Sequence, residues 1–110
     1  MIDFKRYTVD FLKVLADPTR LDILNLLQKS EKSSIEIQTV LNKSQSTVSQ
    51  HLKVLGKENI ITSEKKENVN YYRIKNQNIF KLLSNINSFV YEINRDKLKD
   101  LGDLAVFNTL

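Results

Sequence analysis

Short hydroxyl and amide side chains crowd the stretch Ser44-Gln45-Ser46-Thr47-Val48-Ser49-Gln50-His51-Leu52-Lys53-Val54-Leu55. Val48, Leu52 and Leu55 fall at helical spacing, so the stretch predicts a helix with one apolar face. The opposite face carries Ser46, Thr47, Ser49 and Gln50. A surface helix ordinarily covers its wet side with lysine and glutamate, whereas these short uncharged groups suit base edges and phosphate oxygens. By itself the stretch is equally consistent with a Ser/Thr-rich solvated helix, and the surrounding chain has to decide.

Charge is the first deciding feature. The net charge of the 110 residues is +4, unevenly placed. Residues 1–42 balance six basic against six acidic side chains, and the last 29 residues come to −1. Residues 43–81 hold eight basic groups (Lys43, Lys53, Lys57, Lys65, Lys66, Arg73, Lys75 and Lys81) against three acidic ones. The whole positive excess therefore sits on the polar helix and the segment after it, which is the footprint of a polyanion-binding surface.

Other chemistries are poorly supplied. Cysteine is absent, which removes disulfides, thiolate metal sites and thiol redox switching. His51 is the lone histidine; a metal needs several donors and catalysis needs an oriented partner, so a packing or phosphate-contacting role outweighs metal binding. No Gly-rich phosphate loop and no acid and base pair at recognisable spacing are present, so no enzyme, cofactor or metal is expected. The chain is 41% hydrophobic and 27% charged with two glycines and one proline, which argues for a mostly helical soluble domain over residues 1–110 and against disorder. No apolar run approaches the roughly 18 residues that span a bilayer, and the N-terminus lacks a signal-peptide core, so a cytoplasmic location is expected.

The elements that must position the polar helix are short and punctuated. Phe4, Tyr7, Phe11, Leu12 and Leu15 lie along one face of a first helix, about 3–15, which Asp17-Pro18 interrupts. Asp17 caps a second helix, with Pro18 in its first turn and Leu21, Ile23, Leu24, Leu26 and Leu27 as a broad apolar face. Ser33 and Glu36 have capping-box spacing for a short third helix carrying Ile35, Ile37, Val40 and Leu41. Asn42 can take the left-handed conformation of a tight turn, and Ser44 caps the fourth helix, so residues 33–58 read as a helix-turn-helix. Asn59 is a plausible left-handed terminator, which leaves Gly56 as an interior glycine, a local cost that nothing in the sequence explains.

Beyond Ile60 the periodicity is that of extended chain. Ile60 to Lys66 and Val69 to Ile74 flank the polar turn Glu67-Asn68 and predict a β-hairpin over about 60–75 with a basic tip. Tyr71 and Tyr72 project to opposite faces, so at least one packs beneath the hairpin. Helical spacing returns from Asn78 to about Leu104, with Ile79, Leu82, Leu83, Ile86, Phe89, Val90 and Ile93 on a long apolar stripe. So much apolar surface predicts a homodimer formed by the terminal helices, about 3–15 and 78–104, through Phe4, Tyr7, Phe11, Ile86, Phe89, Val90 and Ile93. The order is that of a winged helix-turn-helix, mainly α with one small β-hairpin.

Leu15-Ala16-Asp17-Pro18-Thr19-Arg20-Leu21-Asp22-Ile23-Leu24 resembles the L-A-D-P-T-R-L-x-I-L opening of the second helix in the ArsR/SmtB family of winged-helix repressors. Ser44 to Leu55 is similar to that family's S-Q-x-x-V-S-x-H-L-x-x-L recognition helix, and Ser63 to Ile74 with Tyr71-Tyr72-Arg73 fits its wing. The resemblance covers about residues 12–75. It implies a symmetric dimer on a double-stranded operator, with the helices at 44–58 in successive major grooves and the wings tracking the flanking backbone or minor groove. Gln45, Ser46, Ser49 and Gln50, toward the N-terminal half, are then the candidates for base contact, glutamine having the paired donor and acceptor that adenine matches. Thr47 and Lys53 are candidates for phosphate, and from the wing Lys65, Lys66 and Arg73 add charge neutralisation, with Asn68 as a neutral contact beside them. Arg20 is open between a phosphate contact and a structural role.

The resemblance also places the thiolate sensing site of its best-known members at Ser33 and Ile35, neither of which supplies a thiolate. The last helix offers Glu92, Asp96 and Asp100 without histidine, a set suited at most to a hard, weakly held cation. No transition-metal site is expected, and any inducer is an organic ligand or a protein. The competing function class is a winged helix serving as a protein-interaction module in a larger complex.

Overall fold

The computed structural model describes residues 2–99, which divide after Asn76 into two compact units. The first unit contains α1 (Phe4–Leu15), α2 (Pro18–Lys29), β1 (Lys32–Ser33), α3 (Ser34–Leu41), α4 (Gln45–Lys57), β2 (Ile61–Lys66) and β3 (Val69–Ile74). The second contains α5 (Asn78–Ile93) and the short α6 (Arg95–Leu98).

Local chemistry sets the boundaries of the first unit. The Asp17 carboxylate accepts the Arg20 N–H at 3.0 Å and starts α2, with Pro18 at the first turn where no N–H is needed. Ser33 and Glu36 form the complete capping box of α3, side chain to N–H in both directions. Asn42, at φ 54°, ends α3 in the left-handed region. Ser44 then accepts the Thr47 N–H and opens α4. At the other end of α4, Asn59 adopts φ 61°, and Ile60 N–H reaches back to the Leu55 carbonyl while Asn59 N–H reaches Gly56. That pair of bonds is a Schellman motif, and its apolar member Ile60 is buried with Leu55.

The core forms where the three inner helices meet the sheet. Ile23 and Leu24 of α2, Ile37 of α3, and Val48 and Leu55 of α4 are fully enclosed, each contributing about 1.5–3 kcal/mol of burial. Leu52, Ile60, Ile61 and Ile74 extend the core toward the hairpin, and Val14 and Leu15 join it from α1. Glu67 and Asn68, at φ 49° and 67°, form the two-residue turn that matches the twist of β2 and β3.

Four expectations are corrected. The hairpin has a third member, because β1 pairs antiparallel with β3 through Lys32–Tyr72 and Ser33–Tyr71, giving the order β1-β3-β2. In α3 only Ile37 is buried; Ile35 and Val40 are 72% and 59% exposed, since a helix this short turns one side inward. In α1 the expected single face is divided: Leu15 is buried with Val14, Phe11 is half-buried, and Phe4, Tyr7 and Leu12 are exposed. The expected helix from 78 to 104 is interrupted at Asn94, whose side-chain amide donates to the Val90 carbonyl at 2.8 Å, a local bond that competes with helix continuation. Residues 100–104 of that expectation lie outside the described residues.

Within the second unit, α5 exposes Leu82, Ile86, Phe89, Val90 and Ile93. No helix among the described residues is long and apolar enough to cross a membrane.

Candidate nucleic-acid interface

Val48, Leu52 and Leu55 anchor α4 to the core, and that anchoring leaves Gln45, Ser46, Ser49 and Gln50 exposed, with Thr47 half-buried. At the N-terminus of α4 the Ser44 hydroxyl donates to Thr47 Oγ1 at 2.9 Å and lies 3.2 Å from Ser46 Oγ. This end of the helix therefore presents hydroxyls together with its free N–H groups, where the helix dipole favours an anion. Lys53, one turn beyond Ser49, is exposed.

His51 turns away from that surface. Its Nδ1 lies 3.2 Å from Arg20 Nη1, and because arginine has no acceptor, Nδ1 must be the lone-pair nitrogen in this contact. The same guanidinium donates through Nε to the Val14 carbonyl at 2.7 Å and through Nη2 toward the Lys13 carbonyl at 3.5 Å. Arg20 thus ties the last turn of α1 and the first turn of α2 to the middle of α4. Burial tends to raise the neighbouring Asp17 carboxyl, but the Arg20 N–H bond and the Arg20 guanidinium charge outweigh it and hold that carboxyl below the usual aspartate range. The sequence singles out Arg20 and His51 separately; no local pattern joins residues 31 apart.

The wing cations divide by face. Strand register places Ser63, Lys65, Asn70 and Tyr72 on one face of the hairpin and Glu64, Lys66, Tyr71 and Arg73 on the other. On the latter, Lys66 Nζ bonds Glu31 at 2.6 Å, which holds the ammonium above its ordinary value, and lies 5.8 Å from the centre of the Tyr71 ring. Arg73 pairs with Glu64 at 3.2 Å. Lys53 and Lys65 make no ion pair among the described residues. Asn68 sits at the exposed turn.

Between α4 and the hairpin lies a groove of about 390 Å³, lined by Ser49, Lys53, Gly56, Thr62, Ser63 and Tyr72 above the buried Leu52 and Ile61. Thr62, Ser63 and Gly56 were not among the residues singled out as contacts from sequence. Their strand and helix positions look ordinary until the fold sets the root of the hairpin against α4. No three His, Asp or Glu side chains converge into a metal-holding set among the described residues, and Asp100 lies outside them. Ser33, at one of the positions where the resemblance places a thiolate, is engaged in capping α3.

Residues 17–63 match the family described as bacterial regulatory protein, arsR family. The chain is 36% identical over 66 residues to the arsenical resistance operon repressor of Staphylococcus xylosus, covering 60% of this chain and 64% of that protein, slightly under two thirds of its length. It is 35% identical over 81 residues to the arsenical resistance operon repressor of Bacillus subtilis, covering 73% of this chain and 76% of the relative. Its fold is similar to the solution structure of the homodimeric winged helix-turn-helix DNA-binding domain Mb0332 from Mycobacterium bovis, with a TM-score of 0.74 at 22% identity over 84% of this chain and 86% of the other.

Proposed function

The chain belongs to the arsR family of bacterial regulatory proteins, and from that premise we propose that it is a dimeric, sequence-specific DNA-binding repressor with α4 as the recognition helix. The observation that carries this is the exposed face of Gln45, Ser46, Ser49 and Gln50 on a helix anchored to the core by Val48, Leu52 and Leu55, with Lys53 on the helix and Lys65 on the hairpin making no ion pair among the described residues. In this role the four exposed polar groups contact base edges in the major groove. Thr47 and Lys53 contact phosphate, and Lys65, Lys66, Asn68 and Arg73 steady the flanking duplex, Lys66 and Arg73 exchanging carboxylate for phosphate as they do so.

Dimerisation rests on the exposed apolar surface of two helices, Phe4 and Tyr7 with half-buried Phe11 on α1, and Ile86, Phe89, Val90 and Ile93 on α5. A two-fold pair would present two copies of α4 to two half-sites. The relatives' names attach them to arsenical resistance; this chain has no cysteine to bind arsenic through thiolate, so it either senses an organic ligand or a protein or acts without an inducer.

A mobility-shift titration on the promoter region of its own gene, at two salt concentrations, tests the function. Affinity should fall steeply with salt. Gln45→Ala with Ser49→Ala should abolish the preference for that promoter over unrelated duplex, while Lys65→Ala with Lys66→Ala should weaken all duplexes alike. Binding that is absent, or insensitive to salt, would overturn the proposal in favour of a protein-interaction module.

A further inference from the structure

Gly56 lies in the last turn of α4, where glycine costs stability relative to alanine. Two reasons usually account for a helical glycine, and neither applies. Its φ is not positive, so the backbone does not demand glycine. A Cβ built there meets nothing within 4 Å, so packing inside the chain does not demand it either. The space that a side chain would fill belongs to the groove between α4 and the hairpin.

That groove has the lining of an anion seat. The polar side chains that α4 and the Ser63 face of the hairpin bring to it are the Ser49 and Ser63 hydroxyls, the Tyr72 phenol and the Lys53 ammonium, all able to donate, and no carboxylate is among its lining residues. Lys53 is exposed and makes no ion pair among the described residues, in contrast to Lys66 and Arg73. Lys65, on the Ser63 face of β2, continues the same side of the hairpin outward. At about 390 Å³ the hollow admits more than single waters, each of which takes about 30 Å³ in the liquid.

We infer that the groove at Gly56 seats the phosphodiester backbone of one DNA strand, with Lys53 as its charge partner and the missing Cβ as the clearance that lets the strand approach α4. This deepens the proposed function and rests on it. It adds Gly56, Ser63 and Tyr72 to the contact surface and assigns Ser49 to backbone as well as base. A backbone seat carries no sequence information, so its loss should weaken every duplex equally.

The test measures folding and binding on the same variants, Gly56→Ala, Gly56→Leu and Lys53→Met. Alanine and leucine are good helix formers, so both glycine variants should melt higher than the parent, alanine by about 3–6 °C. Their duplex affinity should nonetheless fall in order of side-chain size, with leucine losing roughly tenfold or more on specific and unrelated sequences alike. Lys53→Met keeps the aliphatic stem and should reduce the slope of log affinity against log salt by about one. Parent and Gly56→Leu proteins of equal affinity would overturn the seat while leaving DNA binding intact. A parent that binds no duplex overturns the DNA-binding function itself, and the seat with it. Should Gly56→Leu fail to fold, Gly56→Ala decides: a higher melting temperature with unchanged affinity overturns the seat.

Discussion

Arg20 holds together parts of the chain that no single element could align. Its guanidinium reaches two carbonyls at the end of α1 and the His51 ring on α4, so it fixes the rotation of α4 about its own axis as well as its distance from α2. Arg20→Met should lower unfolding free energy by about 2 kcal/mol in urea titrations, since bonds to a charged donor are lost and their acceptors are left behind. Arg20→Lys should not rescue it, because one ammonium cannot span carbonyl and imidazole on separate elements. An unfolding midpoint equal to the parent's for Arg20→Met would overturn the structural role and leave phosphate contact as the remaining reading of Arg20. Asp17, beside it, gives the acid limb. Its carboxyl is held below the ordinary value in the folded chain despite partial burial, so the folded state binds fewer protons than the unfolded one. The resulting stability is fully present above the ordinary aspartate range near pH 4 and is lost as pH falls through the lowered value. Melting curves from pH 7 to pH 3 should therefore show Asp17→Asn less stable than the parent at neutrality, with the gap closing in acid. A gap that stays constant would mean the carboxylate charge contributes nothing.

At the scale of elements, the hairpin is two surfaces with different electrostatic states. One carries Lys65, without an ion pair among the described residues, on the same face as Ser63; the other engages Lys66 with Glu31 and Arg73 with Glu64. Glu31→Gln should free Lys66 without changing the hairpin, raising duplex affinity several-fold at low salt, with the gain shrinking as ionic strength rises. Weaker binding by that variant would show that Glu31 positions Lys66 and does not compete with phosphate for it. Legibility in the sequence follows the same division between local and distant. Caps at Asp17, Ser33 and Ser44, the left-handed Asn42 and Asn59, and the Glu67-Asn68 turn were all readable, because each is decided by a side chain and the backbone within four residues of it. The strand Lys32–Ser33 is too short to carry a period and exists only through its pairing with Tyr71 and Tyr72. The exposure of Ile35 and Val40 depends on which side of α3 the core occupies, which periodicity in eight residues does not fix. The groove is the extreme case: Gly56, visible as an unexplained residue, acquires a neighbourhood only when register brings Ser63 and Tyr72 to one face beside α4.

At the scale of the whole molecule, the charge excess confined to residues 43–81 and the apolar residues exposed on α1 and α5 make opposite demands of the solvent. The cationic surface gains by facing a polyanion; Phe4 at 77% exposure and Phe89 at 60% gain by leaving water. A dimer through the apolar faces answers the second demand and multiplies the first, because a second α4 binds its half-site at the effective concentration set by the first. Interfaces of this kind bury about 1,200–2,000 Å² in stable complexes, more than isolated exposed side chains require, so the prediction is specific. Phe89→Glu, placing a charge in the α5 stripe, should convert a dimer to a monomer at micromolar concentration in sedimentation equilibrium. Each subunit should keep its fold, as α5 exposes that position. Affinity for a two-half-site operator should fall by about a hundredfold, while affinity for a single half-site should be nearly unchanged. A variant that remains dimeric would move the interface off α5, and a monomeric variant with full operator affinity would show that two recognition helices are not needed at once.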